Sequence, residues 1–171
     1  MRFLFALLLL ACSVRRAEFT PLVTAARAGD VARVRALLAH GADPNAPSGE
    51  NGWTPLLHAV HKSQPAAAAA LLAAGADPNR AGDGGMTPLM MAAGYGDRAT
   101  VALLLGHGAK PAAADHNGET ALDYALSGMT DLDKFTYFQC QDACASLLTR
   151  VSPAAKSGSR RWARVKRCRA A

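Results

Sequence analysis

Thr54-Pro55-Leu56-Leu57-His58-Ala59 is one of four related openings in this chain. Thr20-Pro21-Leu22-Val23-Thr24-Ala25 precedes it, and Thr87-Pro88-Leu89-Met90-Met91-Ala92 and Thr120-Ala121-Leu122 follow. The four threonines stand 34, 33 and 33 residues apart. Each opening runs on to a leucine pair: Leu37-Leu38, Leu71-Leu72, Leu104-Leu105 and Leu147-Leu148. After three of these pairs comes a shared close, His40-Gly41-Ala42-Asp43-Pro44-Asn45, Ala74-Gly75-Ala76-Asp77-Pro78-Asn79 and His107-Gly108-Ala109-Lys110-Pro111. A fixed period of about 33 residues marks a repeat architecture, in which no unit buries its apolar face alone and stacking supplies the core.

Local chemistry predicts two helices in each unit. Proline second in the motif suits the first turn of a helix, where its missing N–H costs nothing and its φ is preset. The threonine before it can cap that helix. Gly29 and Gly96 then separate the helices, with Asp30 and Asp97 as caps for the second, while the second unit has Ser63 and Gln64 followed by Pro65. Gly41, Gly75 and Gly108 stand where a left-handed helix close is wanted. Val31, Val34, Leu37 and Leu38 recur on one helical face. The matching stretch of the second unit, residues 66–70, is all alanine, which forms helix readily but buries little area, so that unit is expected to depend on its neighbours.

Period and motif together resemble the ankyrin repeat, over roughly residues 19 to 151. The resemblance implies an all-α solenoid of stacked helix-turn-helix units with projecting loops, in four repeats at about 19–51, 52–84, 85–117 and 118–151. The last repeat departs from the pattern, with Ala121 for proline and an insertion near 129–139. That insertion holds Asp131, Asp133, Phe135, Tyr137 and Phe138. It reads as a self-capping flap over the terminal apolar face, with a partner contact as the other reading. The family's usual histidine place is filled by Val23, Leu57, Met90 and Asp123, so the hydrogen bonds that histidine makes between repeats are expected to be missing.

Proteins of this kind are interaction scaffolds, and the resemblance implies contacts through loop tips and exposed first-helix positions. Matched by register, the tips are Glu50, Asn51, Trp53, Asp83, Met86, His116 and Glu119. The helix positions are Thr24, His58, His61, Met91, Tyr95 and Tyr124. Trp53 is the leading candidate, because tryptophan is enriched at interface hot spots; its other reading is packing on the neighbouring tip.

Charge is unevenly spread along the 171 residues. Residues 19–151 hold 9 Lys or Arg against 12 Asp or Glu, a balance of −3, whereas residues 1–18 carry +2 and residues 152–171 carry +7 without an acid. Any preference for anions therefore belongs to the ends. Met1-Arg2 followed by nine apolar residues is too short to span a membrane but fits an export signal. Leu9-Leu10-Ala11-Cys12 resembles the lipobox of bacterial lipoproteins, which implies lipidation at Cys12, export and a membrane anchor on the periplasmic side. Cleavage after Ser13, or a capping helix over residues 3–12, are the other readings of this segment.

From Ser152 a linker-like stretch leads to a basic cluster, Arg160, Arg161, Trp162, Arg164, Lys166, Arg167 and Arg169. This tail suits an anionic membrane surface or, in a cytoplasmic protein, nucleic acid, or else it only solubilises the chain. Cys12, Cys140, Cys144 and Cys168 are not spaced as a disulfide framework, and Cys144 reads as a small core residue. There is no phosphate loop, no metal-binding motif and no nucleophile motif. The expectation is a monomeric binding protein, without enzyme activity, cofactor or metal, whose partner is an unknown protein.

Overall fold

A computed structural model describes residues 19–49, 51–127 and 142–151. The export segment with Cys12, the tip residue Glu50, the insertion at 129–139, Cys140 and the basic tail from residue 152 lie outside the described residues. Those described form eight α-helices: α1 Pro21–Ala28, α2 Val31–Ala39, α3 Pro55–His61, α4 Pro65–Ala73, α5 Pro88–Gly94, α6 Arg98–Gly106, α7 Ala121–Ser127 and α8 Asp142–Val151. A short 3₁₀ turn, Asp83–Gly85, lies at the second tip. The first helices stack in one row (α1 on α3, α3 on α5, α5 on α7) and the second helices in another (α2 on α4, α4 on α6, α6 on α8). Each first helix also packs on the second helix of its own repeat.

The motif residues start the helices as their chemistry requires. Thr20, Thr54 and Thr87 accept N–H bonds from Val23, Leu57 and Met90 at 3.2–3.3 Å, with proline in the first turn each time. In the fourth repeat Asp123 takes over, its Oδ2 accepting from the Thr120 N–H at 2.9 Å and the Thr120 hydroxyl at 2.8 Å. Asp30 and Asp97 cap the second helices through the N–H groups of Arg33 and Thr100. Gln64 makes no side-chain cap, and Pro65 begins α4 instead.

The closes are paired helix-ending bonds. Gly41 N–H donates to Leu38 O and Ala42 N–H to Leu37 O, and the same pair recurs at Gly75/Ala76 and Gly108/Ala109. The three glycines sit at φ between +85° and +88°, where a side chain would be strained. Between the two helices of a repeat Gly29 and Gly96 turn at φ +72°, and in the second repeat Ser63 takes their place at φ +53°, the one non-glycine with positive φ among the described residues.

A single apolar core runs the length of the stack. Val34, Leu56, Leu57, Leu71, Leu89, Met90, Met91, Val101, Leu104 and Leu148 are among its large members. Ala67 and Ala68 are fully buried on α4, which packs on α2, α3 and α6, so the alanine run packs by closeness rather than by bulk. Cys144 is buried in α8, as expected, and burial raises its thiol pKa, with the Asp97 carboxylate adding to the rise against a smaller opposing pull from Arg98. No buried side-chain nitrogen or oxygen among the described residues lacks a hydrogen-bond partner.

Asparagine at the end of the shared close has a role that spacing did not reveal. Asn45 Oδ1 accepts from the Asp77 N–H at 2.7 Å, and its Nδ2 donates to Gly75 O at 3.1 Å. Asn79 does the same one repeat on, with Lys110 N–H and Gly108 O. Each asparagine thereby ties its own repeat to the next. Ala112 stands at the third such position, and the ladder stops there.

Candidate functional site

The loops between repeats fold into small hairpin tips joined edge to edge. Ser48 N–H bonds Trp53 O, Gly82 N–H bonds Met86 O, and Asp115 N–H bonds Glu119 O. Tip joins tip through Asp83 N–H to Asn51 O and His116 N–H to Gly84 O, both at 3.0 Å. At the third tip Asp115 is held by the N–H groups of Glu119 and Asn117 and by the Tyr124 hydroxyl at 2.9 Å. Burial alone would raise that carboxyl pKa, but these bonds outweigh it and hold it below the usual carboxylate range.

Beside the tips a run of rings crosses three repeats. Phe19 meets His58 edge-on with centroids 5.0 Å apart, Trp53 lies 5.4 Å from His58 and 5.1 Å from His61, and His61 lies 6.1 Å from Tyr95. His61 Nδ1 and the Tyr95 hydroxyl are 2.8 Å apart, a bond between the second and third repeats. Arg27, from the last turn of α1, places its guanidinium over the Phe19 ring at 4.4 Å and reaches His58 Nδ1 at 3.1 Å.

His58 can be assigned a proton from its neighbours. Ser48 O, 3.0 Å from Nε2, only accepts, and Arg27, 3.1 Å from Nδ1, only donates. The ring is therefore neutral with hydrogen on Nε2, and protonating Nδ1 would set it against a guanidinium N–H. Burial, the largest influence, lowers the His58 pKa; Arg27, His61 and Lys62 lower it further, against a smaller upward pull from the Ser48 bond.

Several expectations are corrected. His58 and Met91 were expected on exposed first-helix positions, yet they are 4% and 1% exposed. They stand four residues after the capping threonine, as the exposed Thr24 does in the first repeat, and His58 is covered there by Arg27, Ser48 and Phe19 of the preceding repeat and by Trp53. The bonds between repeats that the missing motif histidine was expected to remove are made instead by His58 and His61. Trp53 is half-buried, packed on the two histidines, and Met86 also leans on the core. Thr24, Asn51, Asp83 and His116 are exposed, and His61, Tyr95, Glu119 and Tyr124 are half-buried. The rings of Trp53, His58, His61 and Tyr95 are gathered into one run, whereas Tyr124 belongs to the third tip through Asp115.

Two members of the run were not among the predicted contacts, Phe19 and Arg27. The signal was present in the register. Phe19, Trp53 and Met86 each precede a capping threonine, and Arg27 stands seven residues after Thr20 as His61 stands seven after Thr54.

The sequence comparisons agree with this geometry. Residues 3–82 match a family of ankyrin repeats described in three copies, and residues 71–125 match a family of ankyrin repeats in many copies. These are ankyrin repeats. Together the matches run from residue 3, inside the apolar segment, to residue 125 in α7, and the ankyrin fold is an interaction module. Comparison with curated proteins gives no match. No ankyrin helix among the described residues is long and apolar enough to cross a membrane, and no cluster of three metal-ligating side chains occurs among them.

Proposed function

We propose that this ankyrin-repeat chain is a non-enzymatic scaffold that holds a protein partner across the first-helix row and the tips of its first three repeats. The supporting observation is the ring run from Phe19 through Trp53 and His61 to Tyr95, which spans three repeats on one side and is partly open to solvent. Half-buried aromatic side chains held rigid by their neighbours lose little freedom on binding, which suits them as anchors. Photo-crosslinking residues placed at Asn51 and Thr24, with Ala73 on the second-helix row as the contrast, test the reading in cells. Adducts from Asn51 and Thr24 but not from Ala73 are expected, and adducts only from Ala73 would overturn it.

We further propose that the scaffold works outside the cytoplasm, tethered through Cys12. The support is Arg2, the apolar run and Leu9-Leu10-Ala11-Cys12. A second reading, that residues 3–12 belong to the repeat array, is favoured by the family match beginning at residue 3. Intact mass and membrane fractionation separate the two. Loss of residues 1–11 with added lipid mass, abolished by Cys12→Ala, supports the tether; an unprocessed N-terminus in the soluble fraction supports the array.

A further inference from the structure

The first-helix row is not electrically uniform. In the first two repeats α1 and α3 contain no acidic residue, and Arg27 and Lys62 stand at their C-terminal ends, with the exposed Asp83 out at the second tip. In the fourth repeat α7 carries Asp123, and the third tip carries Asp115, yet both carboxylates are buried in hydrogen bonds of their own loops. These acid-free helices of the first two repeats are also the ones that carry most of the ring run.

Arg27 is held in place before any partner arrives. Its guanidinium face rests on Phe19, and one of its five N–H donors is taken by His58 Nδ1. Four donors have no partner among the described residues. An arginine fixed from one side and open on its donor fork is a ready receptor for a carboxylate, because the side-chain freedom such a bond would cost is already lost. Phe19, itself 40% exposed, offers apolar surface beside that fork.

We propose that the first two repeats recognise an acidic segment of a protein partner, with a carboxylate on the Arg27 fork and an adjoining aromatic side chain against Phe19 and Trp53. Trp53, packed on the same His58 that Arg27 reaches, stands close enough to report the event. The inference rests on the scaffold reading above and specifies the partner's chemistry.

The test uses the full chain carrying Trp162→Phe, so that Trp53 is its single tryptophan. The probes are an eight-residue peptide alternating Glu and Phe, its Gln/Phe counterpart and its Lys/Phe counterpart, followed by Trp53 fluorescence in moderate salt. The Glu peptide is expected to bind about tenfold more tightly than the Gln peptide, the size of one charge-assisted bidentate pair, and the Lys peptide not at all. Arg27→Gln should abolish that preference, and Arg27→Lys, which keeps the charge but not the donor fork, should retain part of it. Neutralising Arg160, Arg161 and Arg164 together should leave it unchanged. The proposal is overturned if Arg27→Gln keeps the full preference, if the preference follows the tail, or if the Lys peptide binds best. Any of these would leave the crosslinking contrast standing, whereas loss of that contrast with the acid preference intact would sink the scaffold reading alone.

Discussion

The two helix rows are built from different materials. In the first-helix row, helices of 7–8 residues share the apolar core and add particular polar contacts: Arg27 to His58, His58 to the Ser48 backbone carbonyl, and His61 to Tyr95. In the second-helix row, helices of 9–10 residues meet through leucine, valine and alanine, and the alanines of α4 leave a shallow groove against Arg35 and Leu38 of α2. One row depends on shape and apolar area, which many sequences supply. The other has that apolar area too, and adds donors and acceptors in fixed places, so its residues say more about this protein in particular.

The hardest blow to the apolar row should come from Leu71→Ala. Leu71 is fully buried on a helix whose other core residues, Leu72 apart, are alanines, so its own helix supplies little bulk to close the gap. A loss of about 3 to 4 kcal/mol in a urea titration is expected. A loss under about 1 kcal/mol would mean that the alanine helix collapses onto the space, and that the row is less dependent on fit than its packing suggests.

For the polar row the corresponding blow is His58→Ala, expected to cost about 2 to 3 kcal/mol because it opens a cavity and strips Ser48 O and Arg27 of their partner. His58→Gln, whose amide can donate to one and accept from the other, separates shape from bonding. Recovery of about half the loss is expected. Equal losses in the two variants would show that His58 acts by volume alone, which would remove the contrast between the rows.

Acid should also weaken the polar row selectively. His58 has a lowered pKa in the folded chain, so as pH falls the unfolded chain takes up the proton first. Its contribution is fully present above the ordinary histidine pKa of about 6.5 and declines as pH drops from there toward the folded value. Asp115 is lowered too, but its contribution is lost only in the carboxylate range and below, outside that window. Urea midpoints at pH 7.5 and pH 5 should differ for the natural chain, and His58→Gln should shrink the difference. An unchanged difference would move the cause to another group.

What could be read from the sequence was what is local. Threonine, proline, aspartate and glycine act within a turn of where they stand, so caps and closes could be placed from residue types alone, and Cys144 could be placed in the core. Exposure along the first helices was not local. Whether His58 or Met91 meets solvent depends on how one helix lies on the next, and a motif match sets register along the chain without setting the angle across it. The same limit hid Asn45 and Asn79: their partners lie about 30 residues away, and nothing in a repeated Asp-Pro-Asn distinguishes a turn from a tie between turns.

The asparagine ladder shows that polar specificity is not confined to the first-helix row. Because Asn45 works in a more solvated place than His58, water can replace much of what its removal takes away. Asn45→Ala should therefore cost only about 1 kcal/mol, with Asn79→Ala similar. Thermal melts of the two single variants and the double variant would show whether the ties act independently. A double loss well above the sum of the singles would make the ladder a cooperative strap along the stack.

The smallest effect is expected where the second repeat departs from its neighbours. Gly29 and Gly96 turn the chain between helices in the first and third repeats at φ +72°, and Ser63 makes the same turn at φ +53° with its N–H bonded to Val60 O. A side chain in that conformation costs about 1 kcal/mol or somewhat more, and glycine gives back part of the relief through the greater freedom of its unfolded chain. Ser63→Gly should thus stabilise the fold by about 0.5 kcal/mol, seen as a small rise in the urea midpoint at unchanged slope. If it destabilises instead, the serine side chain contributes more than its backbone strain costs. The contacts of Ser63 would then outweigh the strain that the neighbouring repeats avoid with glycine.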